Sequence, residues 1–340
     1  MHKNVTIRDV AKRAKTSIAT VSYVLNNENR YLRPDLRERV LQAASELGYV
    51  KNAAASSLKG KRRGILAILV AQFGNSFFTR MCVEIEAVAR REGYIVTICN
   101  SDDDPKQELI ILERLLAQRI DGCILTPAMS SRDNAILLQR HKVPFVVLER
   151  SLKELSPFYD FVGHDNFNSG YLATKRLLEA GHTNIAFMGW DSPIPDVRER
   201  VDGYSAALRE HGIEKDSYII LLDELSPAAG HRMARKLPLP AITAVVLGHH
   251  ELAKGALSYF QQEGVCWPKD VSVVLIGTPE WNEMLYPCLT CIQRPEKEMG
   301  YTAASLLFEK MRNPNWENVQ KIFPCNVVEG GSVRNLLSGG

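Results

Sequence analysis

The sequence lacks any apolar run close to the roughly 20 residues that a helix needs to span a membrane. Its first residues, MHKNV, are polar, unlike the apolar core of a signal peptide. Its seven cysteines are an odd number, and the pair Cys288 and Cys291 has no second Cys or His pair nearby to complete a zinc site. We therefore expect a cytoplasmic protein with structural thiols, no metal and no membrane segment.

Motifs of the common enzyme classes are also missing. The sequence contains no G-x-S-x-G, no H-E-x-x-H, no P-loop and no G-x-G-x-x-G after the first predicted strand. The run HHE at 249–251 lacks the spacing that would place two zinc ligands on one face of a helix. We expect neither catalysis nor a cofactor.

The basic residues are concentrated at one end of the chain. Residues 1–64 contain 14 Lys and Arg against 5 Asp and Glu, whereas the rest contains 28 against 34. With 340 residues and 45% hydrophobic content, the chain can bury a large core and is expected to form one small and one large unit. A cationic end on a neutral-to-acidic body is typical of a nucleic-acid-binding module.

The stretch from Thr6 to Leu25 predicts two short helices joined by a three-residue turn. Thr6 is placed to cap the first helix and Ser17 to begin the second. Apolar residues follow at the spacing of one helical face: Ile7, Val10 and Ala11, then Val21, Val24 and Leu25. So short a turn forces the helices to cross steeply, which predicts a helix-turn-helix; an ordinary amphipathic hairpin is the alternative.

A third helix is predicted after Arg33. Pro34 suits its first turn, Leu36, Val40, Ala43 and Leu47 form an apolar stripe, and Gly48 ends it. Three helices are sufficient for a minimal DNA-binding bundle.

Beyond Gly64, short apolar runs alternate with amphipathic segments of helical length, such as 78–92, 106–118, 168–180 and 199–211. This alternation predicts parallel sheets covered by helices on both faces. Two sheets are expected, the first from about 64 to 161 and the second from about 162 to 290.

The runs VTIRDVAKRAKTSIATVSYVLNN, ERVLQAASELGY and AAASSLKGKRRGILAILV resemble the LacI/GalR family of bacterial transcription regulators, and the likeness continues to about Arg334. The resemblance implies an α/β fold: an N-terminal helix-turn-helix headpiece (1–51), a hinge helix and linker (52–63) and a two-lobed periplasmic-binding-protein-like effector and dimerisation domain (64–334). Lobe 1 would comprise 64–161 and 291–323, and lobe 2 would comprise 162–290 and 324–334. The strands would return to the first lobe near Thr290 and to the second near Pro324.

The resemblance also implies that the helix after Ser17 lies in the major groove. Ile18 and Ala19 carry no hydrogen-bonding groups, so readout should favour A·T steps through thymine methyls, with Tyr23 as the polar reader. Lys15 stands in the turn, where a left-handed backbone would cost a non-glycine residue about 1 kcal/mol. The DNA-binding residues assigned in this way are Thr6, Ser17, Ile18, Ala19, Thr20, Ser22, Tyr23, Asn26, Arg30, Asn52, Ala55 and Leu58.

The segment NAAASSLK, at 52–59, is too short to be a stable helix by itself. By resemblance it is a hinge helix that pairs across a dimer on DNA, with Leu58 as a wedge in the minor groove. A plain linker role for Leu58 is the alternative. Lys51 and Ser56 depart from the residues frequent in the family, which predicts weaker minor-groove contact.

Effector-binding residues are carried over from the family in the same way. Phe77 would provide a platform for a ligand ring, with a core role as the alternative, and Arg200 would bind hydroxyls or a carboxylate, with a salt bridge across the cleft as the alternative. Pro279, His249 and Leu225 replace residues that usually bind hexoses, so a standard hexose site is not expected. The assigned residues are Asn75, Phe77, Phe78, Asp102, Glu149, Asp196, Arg200, Leu225, His249 and Glu280.

These expectations describe a homodimeric repressor that binds a pseudo-palindromic double-stranded operator. Two-fold symmetry is expected because one recognition helix alone buries too little surface to be specific. A small molecule in the cleft, a sugar or sugar derivative, would control DNA binding. The alternative is a regulator switched by a protein partner, a phosphocarrier, instead of a small ligand.

Overall fold

The structure is a computed structural model that describes residues 5–25, 32–50, 62–152, 158–313 and 315–337. The chain separates into two compact units, residues 1–63 and residues 64–340. Among the described helices, none is both long and apolar enough to cross a membrane.

The described residues of the first unit, here called the headpiece, form three helices: α1 (Ile7–Arg13), α2 (Ile18–Leu25) and α3 (Pro34–Glu46). Each helix contributes one fully buried valine, Val10, Val21 and Val40, to a single apolar cluster. The helix-turn-helix predicted from the apolar spacing is therefore confirmed.

Two residues that follow helices of the headpiece have a left-handed backbone. Lys15, in the turn between α1 and α2, has a φ of 52°, and Gly48, just after α3, has a φ of 60°. Glycine adopts this left-handed region without penalty, whereas lysine is strained there by about 1 kcal/mol. The strain expected at Lys15 is therefore present.

The second unit, the effector unit, consists of two α/β lobes. The first sheet is entirely parallel, with the strand order β11-β5-β4-β3-β1-β2. Its strands are β1 (Ile65–Val70), β2 (Ile95–Asn100), β3 (Gly122–Leu125), β4 (Phe145–Leu148), β5 (Asp160–His164) and β11 (Gln320–Phe323). Its helices are α4 (Ser76–Arg91), α5 (Pro105–Ala117), α6 (Arg132–Arg140) and α11 (Glu296–Arg312).

The second sheet has the order β12-β10-β9-β8-β6-β7, and only β12 is antiparallel to its neighbour. Its strands are β6 (Ile185–Trp190), β7 (Ile219–Asp223), β8 (Ala244–Leu247), β9 (Ser272–Ile276), β10 (Thr290–Gln293) and β12 (Asn326–Val328). Its helices are α7 (Asn166–Glu179), α8 (Pro195–Glu210), α9 (Pro227–Arg235) and α10 (His250–Gln262).

Each sheet is covered by an apolar cluster on both faces, as its runs of apolar residues predict. In β1, Leu66 and Ile68 pack into one cluster, whereas Ala67 and Leu69 pack into the cluster on the opposite face. A strand buried on both faces has no polar side to alternate with, which is why its sequence is continuously apolar.

The lobe boundaries differ from the predicted ones at two points. β5 stays in the first sheet as far as His164, beyond the expected boundary at 161. The chain was expected to return to the first lobe near Thr290, but β10 pairs with β9 in the second sheet, and the return follows Gln293. Both differences arise because strand pairing, not sequence order, decides which sheet a strand joins.

The helices predicted at 78–92, 106–118, 168–180 and 199–211 each begin earlier than expected. Asp104 and Asp165 accept backbone N–H groups at the starts of two of them, and Pro195 occupies the first turn of another. Capping residues extend these helices ahead of their apolar faces.

Candidate functional site

Helix α2 of the headpiece has a buried side and an exposed side. Val21 and Val24 are buried, whereas Ile18 is 44% exposed and Ala19 is also exposed. The two apolar side chains predicted to read base edges therefore lie at the surface of the headpiece.

Ser17 caps this helix. Its Oγ accepts the N–H of Thr20 at 3.0 Å and lies 2.9 Å from the Thr20 hydroxyl. The cap fixes the start of α2, where backbone N–H groups and the helix dipole favour phosphate.

Thr6, another predicted DNA-binding residue, has a structural role at the start of α1. The backbone N–H and the hydroxyl of Thr6 both donate to the Asp9 carboxylate, at 2.8 and 2.7 Å. Ser22 and Tyr23 are half-buried on α2. Five predicted residues lie outside the described residues: Asn26, Arg30, Asn52, Ala55 and Leu58.

A buried cleft lies between the two lobes of the effector unit. Eight of the ten predicted effector residues line it: Asn75, Phe77, Phe78, Glu149, Asp196, Arg200, Leu225 and His249. They come together because each follows the carboxyl end of a strand, and parallel strands present these ends at one edge of a sheet. The space left in the cleft is about 40 Å³.

Arg294, which follows β10, lies on the ring of Phe77. Its Cζ is 3.7 Å from the ring centroid, and Phe77 is only 1% exposed. A guanidinium on an aromatic face is a favourable cation–π contact. The face expected to receive a ligand ring is therefore occupied by the protein's own arginine.

Arg200 enters the cleft from α8, which packs closely against α7. A Cβ on Gly170 would lie 1.9 Å from the carbonyl oxygen of Arg200, so only glycine allows this approach. Arg200 Nε donates to Asn166 Oδ1 at 2.7 Å, and its Nη1 donates to the carbonyl of Gly248 at 3.0 Å. Burial lowers the pKa of Arg200 to about 10, and the positive charge of Arg294 contributes in the same direction.

Glu149 provides a carboxylate at the end of β4, with a φ of 72°. Its Oε2 lies 2.9 Å from His164 Nδ1. Burial alone would raise the pKa of Glu149, but His164, Arg294 and Arg200 outweigh it and hold the pKa below its ordinary value. The carboxylate is therefore ionised and interacts with His164, Arg294 and Arg200 at once.

Asp196 connects the two lobes. It lies at the start of α8 in lobe 2 and accepts the backbone N–H of Ser151, after β4 of lobe 1, at 2.6 Å and the Ser151 hydroxyl at 2.8 Å. Burial raises the pKa of Asp196, an effect that the Ser151 hydrogen bonds reduce. These bonds hold one edge of the cleft closed.

His249 caps helix α10, since its Nδ1 accepts the N–H of Glu251 at 3.1 Å. Burial lowers its pKa well below the ordinary value, with further lowering from His250, Arg200 and Arg294. His249 is thus neutral, and because Nδ1 accepts, its proton lies on Nε2. The residue provides a cap and a hydrogen-bond donor.

Two predicted effector residues do not line the cleft. Asp102 is exposed in a left-handed turn, with a φ of 50°, and accepts a hydrogen bond from Asn100 Nδ2 at 2.5 Å. Glu280 lies in the exposed turn Glu280–Met284 and forms an ion pair with Arg80 of lobe 1 at 2.5 Å. Neither side chain lines this cleft in the structure, and a role in effector binding stays a prediction for both.

The structure also adds lining residues that were not predicted: Gln72, Arg150, Asn166, Trp190, Ile194, Val197 and Arg294. Asn166 directly follows the run FVGHD, so a polar residue at a strand end was the available signal. Arg294 directly follows β10, so the same signal was available for it. Within the described ranges, no group of three or more His, Cys, Asp or Glu residues is arranged to hold a metal ion.

The chain belongs to the LacI family of bacterial regulatory proteins. The family model for the regulatory N-terminal region matches residues 6–52, and the model for periplasmic binding proteins and the sugar-binding domain of the LacI family matches residues 63–326. The protein is accordingly a DNA-binding transcriptional regulator and not an enzyme.

Individual relatives resemble the chain over most of their length. It is 33% identical to the HTH-type transcriptional regulator DegA of Bacillus subtilis, covering 87% of this chain and 88% of DegA. It is 30% identical to the HTH-type transcriptional repressor PurR of Aliivibrio fischeri, covering 98% and 99%. A crystal structure of a LacI family regulator from Enterococcus faecium with bound ribose matches with a TM-score of 0.73 at 29% identity, covering 80% of this chain and 99% of that one.

Proposed function

We propose that the protein is a homodimeric repressor of bacterial transcription that binds a pseudo-palindromic operator and is controlled by a sugar-like small molecule in the interlobe cleft. One observation carries the effector half of this proposal. Polar side chains from both lobes converge on one buried cleft, and Asp196 joins the lobes across it through Ser151.

The DNA half rests on the surface of α2 and on charge. Ile18 and Ala19 are exposed, and residues 1–64 carry most of the chain's excess of basic residues. Apolar readers contact thymine methyls in the major groove, while Lys and Arg bind phosphates without sequence preference. We infer an operator with A·T steps in each half-site, bound in the cytoplasm by two headpieces related by two-fold symmetry.

Control follows from the size of the cleft. About 40 Å³ is left inside the cleft that these side chains line, which is room for roughly three water molecules. A sugar-sized molecule enters only when the lobes separate, so its binding energy shifts the balance between lobe arrangements. A coupling of about 1–3 kcal/mol, transmitted through the segment that joins the two units, is sufficient for a switch. A relative named for bound ribose supports a sugar as the ligand class.

The first experiment selects duplexes from a random library and measures affinity for the enriched site against salt concentration. We expect an inverted repeat with A·T-rich half-sites and an affinity that falls steeply with salt, because cationic side chains release counterions from phosphates. Enrichment of no duplex, or a single asymmetric site bound by a monomer, would refute the DNA half.

The second experiment screens sugars and sugar derivatives for a shift in melting temperature and for a change in operator affinity. Arg200→Gln should lose the response to any active compound, because its guanidinium enters the cleft. Arg209→Gln, at an exposed position of the same helix, is the matched control and should respond normally. If no compound acts but a phosphocarrier protein alters operator affinity, control by a protein partner replaces this proposal.

A further inference from the structure

Arg294 lies in the cleft as a buried cation that forms no direct ion pair in the described part of the chain, although the negative charges of Glu296 and Glu149 act on it from a distance and raise its pKa. It is 4% exposed, its Nε is buried with no hydrogen-bond partner in the described part of the chain, and its guanidinium lies on the ring of Phe77. Burying an unpaired charge is strongly unfavourable unless a counter-charge completes the site.

The carboxylates that line the cleft already form hydrogen bonds with other groups. Glu149 is bound by His164 Nδ1, and Asp196 accepts two hydrogen bonds from Ser151. Glu296, next in the chain after Pro295, pairs with Arg80 at 2.9 Å. No carboxylate of the described residues forms an ion pair with Arg294 or with Arg200.

The uncharged lining residues offer donors more than acceptors. Asn75 Oδ1 accepts the N–H of Phe77, and Asn166 Oδ1 accepts from Arg200, so each amide presents its NH₂ group. His249 accepts with Nδ1 and presents its Nε2–H. A ligand that matches this lining must bring acceptors.

The two arginines also repel each other. Burial lowers the pKa of Arg294, as it does that of Arg200, and the charge of Arg294 lowers the pKa of Arg200 further. An anion between them would relieve this repulsion and supply acceptors for both planar guanidinium groups.

We propose that the effector carries an anionic oxygen group, a carboxylate or a phosphate, bound by Arg200 and Arg294 with the surrounding amide and imidazole donors. This inference rests on the proposed function, because it names the chemical class of the molecule in the same cleft. Neutral sugars would then be weak ligands.

The test uses full-length protein and two matched series: glucose, gluconate and glucose 6-phosphate, then ribose, ribonate and ribose 5-phosphate. Dissociation constants are measured by calorimetry at constant ionic strength, with inorganic phosphate alone as a further probe. We expect at least one acid or phosphate to bind tenfold or more tightly than its neutral sugar. The stronger member of the acid and phosphate pair identifies the anionic group.

Arg294→Gln should reduce that preference at least tenfold, whereas Arg312→Gln, on the exposed surface of α11, should leave it unchanged. Without ligand, Arg294→Gln should melt at the wild-type temperature or above, because the change removes an unpaired buried charge. A lower melting temperature in the absence of ligand, or an unchanged anion preference, would overturn the role given to Arg294.

The remaining outcomes separate the two proposals. If neutral sugars bind and alter operator affinity while no anion binds better, the anionic effector is refuted and small-molecule control stands. If none of the six compounds nor phosphate binds in the cleft, both the anionic effector and control by a sugar-like molecule are contradicted.

Discussion

The headpiece and the effector unit place their candidate functional side chains on opposite kinds of surface. Ile18 on α2 is 44% exposed, whereas Arg200 and Glu149 in the cleft are 6% and 7% exposed. The candidate DNA-reading residues lie on one face of one helix, and helical spacing is sufficient to predict them. The cleft combines residues from seven strand ends, so its function depends on how two sheets come together.

This difference predicts different responses to mutation. A headpiece with one small core is expected to unfold completely when a core residue is replaced by a polar one. It should tolerate substitutions at the exposed positions of α2. The described residues of the effector unit form four apolar clusters, so this unit tolerates local damage, but its buried polar groups depend on one another.

The largest effect is expected from Val21→Asp. Val21 is fully buried in the headpiece cluster, and burying a carboxylate there costs several kcal/mol, more than a small bundle's stability. Calorimetry should lose the headpiece transition and retain that of the effector unit, and operator binding should disappear.

Leu41→Asp is the matched control, since Leu41 is 47% exposed on α3. It should change headpiece stability by under about 1 kcal/mol. If both variants kept a folded headpiece, the importance of the single core would be disproved.

The next effect concerns Glu108, a buried carboxyl on α5 that accepts the Ala128 N–H at 2.6 Å and Asn134 Nδ2 at 2.7 Å. Burial raises its pKa to about 7. The folded state therefore holds this proton more tightly than the unfolded state. The resulting stability is complete below about pH 4.5 and is lost as pH rises towards 7, by up to about 3 kcal/mol.

We expect the melting temperature of the effector unit to fall between pH 5 and 8, and Glu108→Gln to flatten this dependence. Glu113→Gln, on the exposed side of the same helix, should keep the wild-type slope. Equal slopes for wild type and Glu108→Gln would show that Glu108 is not the titrating group.

A smaller effect is expected from Ser151→Ala, which removes the hydroxyl hydrogen bond to Asp196 across the cleft. A hydrogen bond to a charged group contributes about 1.5 kcal/mol or more, so the balance should move towards separated lobes by roughly tenfold. Small-angle scattering should report a larger radius of gyration. Ser205→Ala is the control, because the Ser205 hydroxyl donates to the carbonyl of Val201 within α8. An unchanged radius of gyration in Ser151→Ala would show that the Ser151 hydroxyl does not hold the lobes together.

The smallest effect is expected from Lys15→Gly. It relieves the left-handed strain in the headpiece turn and should raise headpiece stability by about 1 kcal/mol. The same substitution at Lys12, inside α1, should lower it by about 1 kcal/mol, because glycine disfavours a helix. Denaturant titration compares the two, and a shift of the same sign in both would contradict the strain at Lys15.

Much of the fold could be predicted from the sequence. Spacings such as Val21 with Val24 identify helices, and runs such as ILAILV identify strands buried on both faces, because burial imposes a local period. Eight cleft residues were found because a family pattern places them at strand ends. Asp102 and Glu280 do not line the cleft, since Asp102 lies in a left-handed turn and Glu280 in a short 3-10 segment.

The sequence by itself determined the helix-turn-helix, the parallel sheets and the concentration of basic charge at one end, since each depends on residues close together in the chain. Only the tertiary structure decided that β10 belongs to the second sheet, that Arg294 covers Phe77 and that Asp196 meets Ser151. The Asp196–Ser151 and Arg294–Phe77 contacts join residues 45 or more positions apart, and β10 meets β9 only across a long connection. The packing of whole lobes determines which of these distant residues meet, and the local periodicity of the sequence does not predict it.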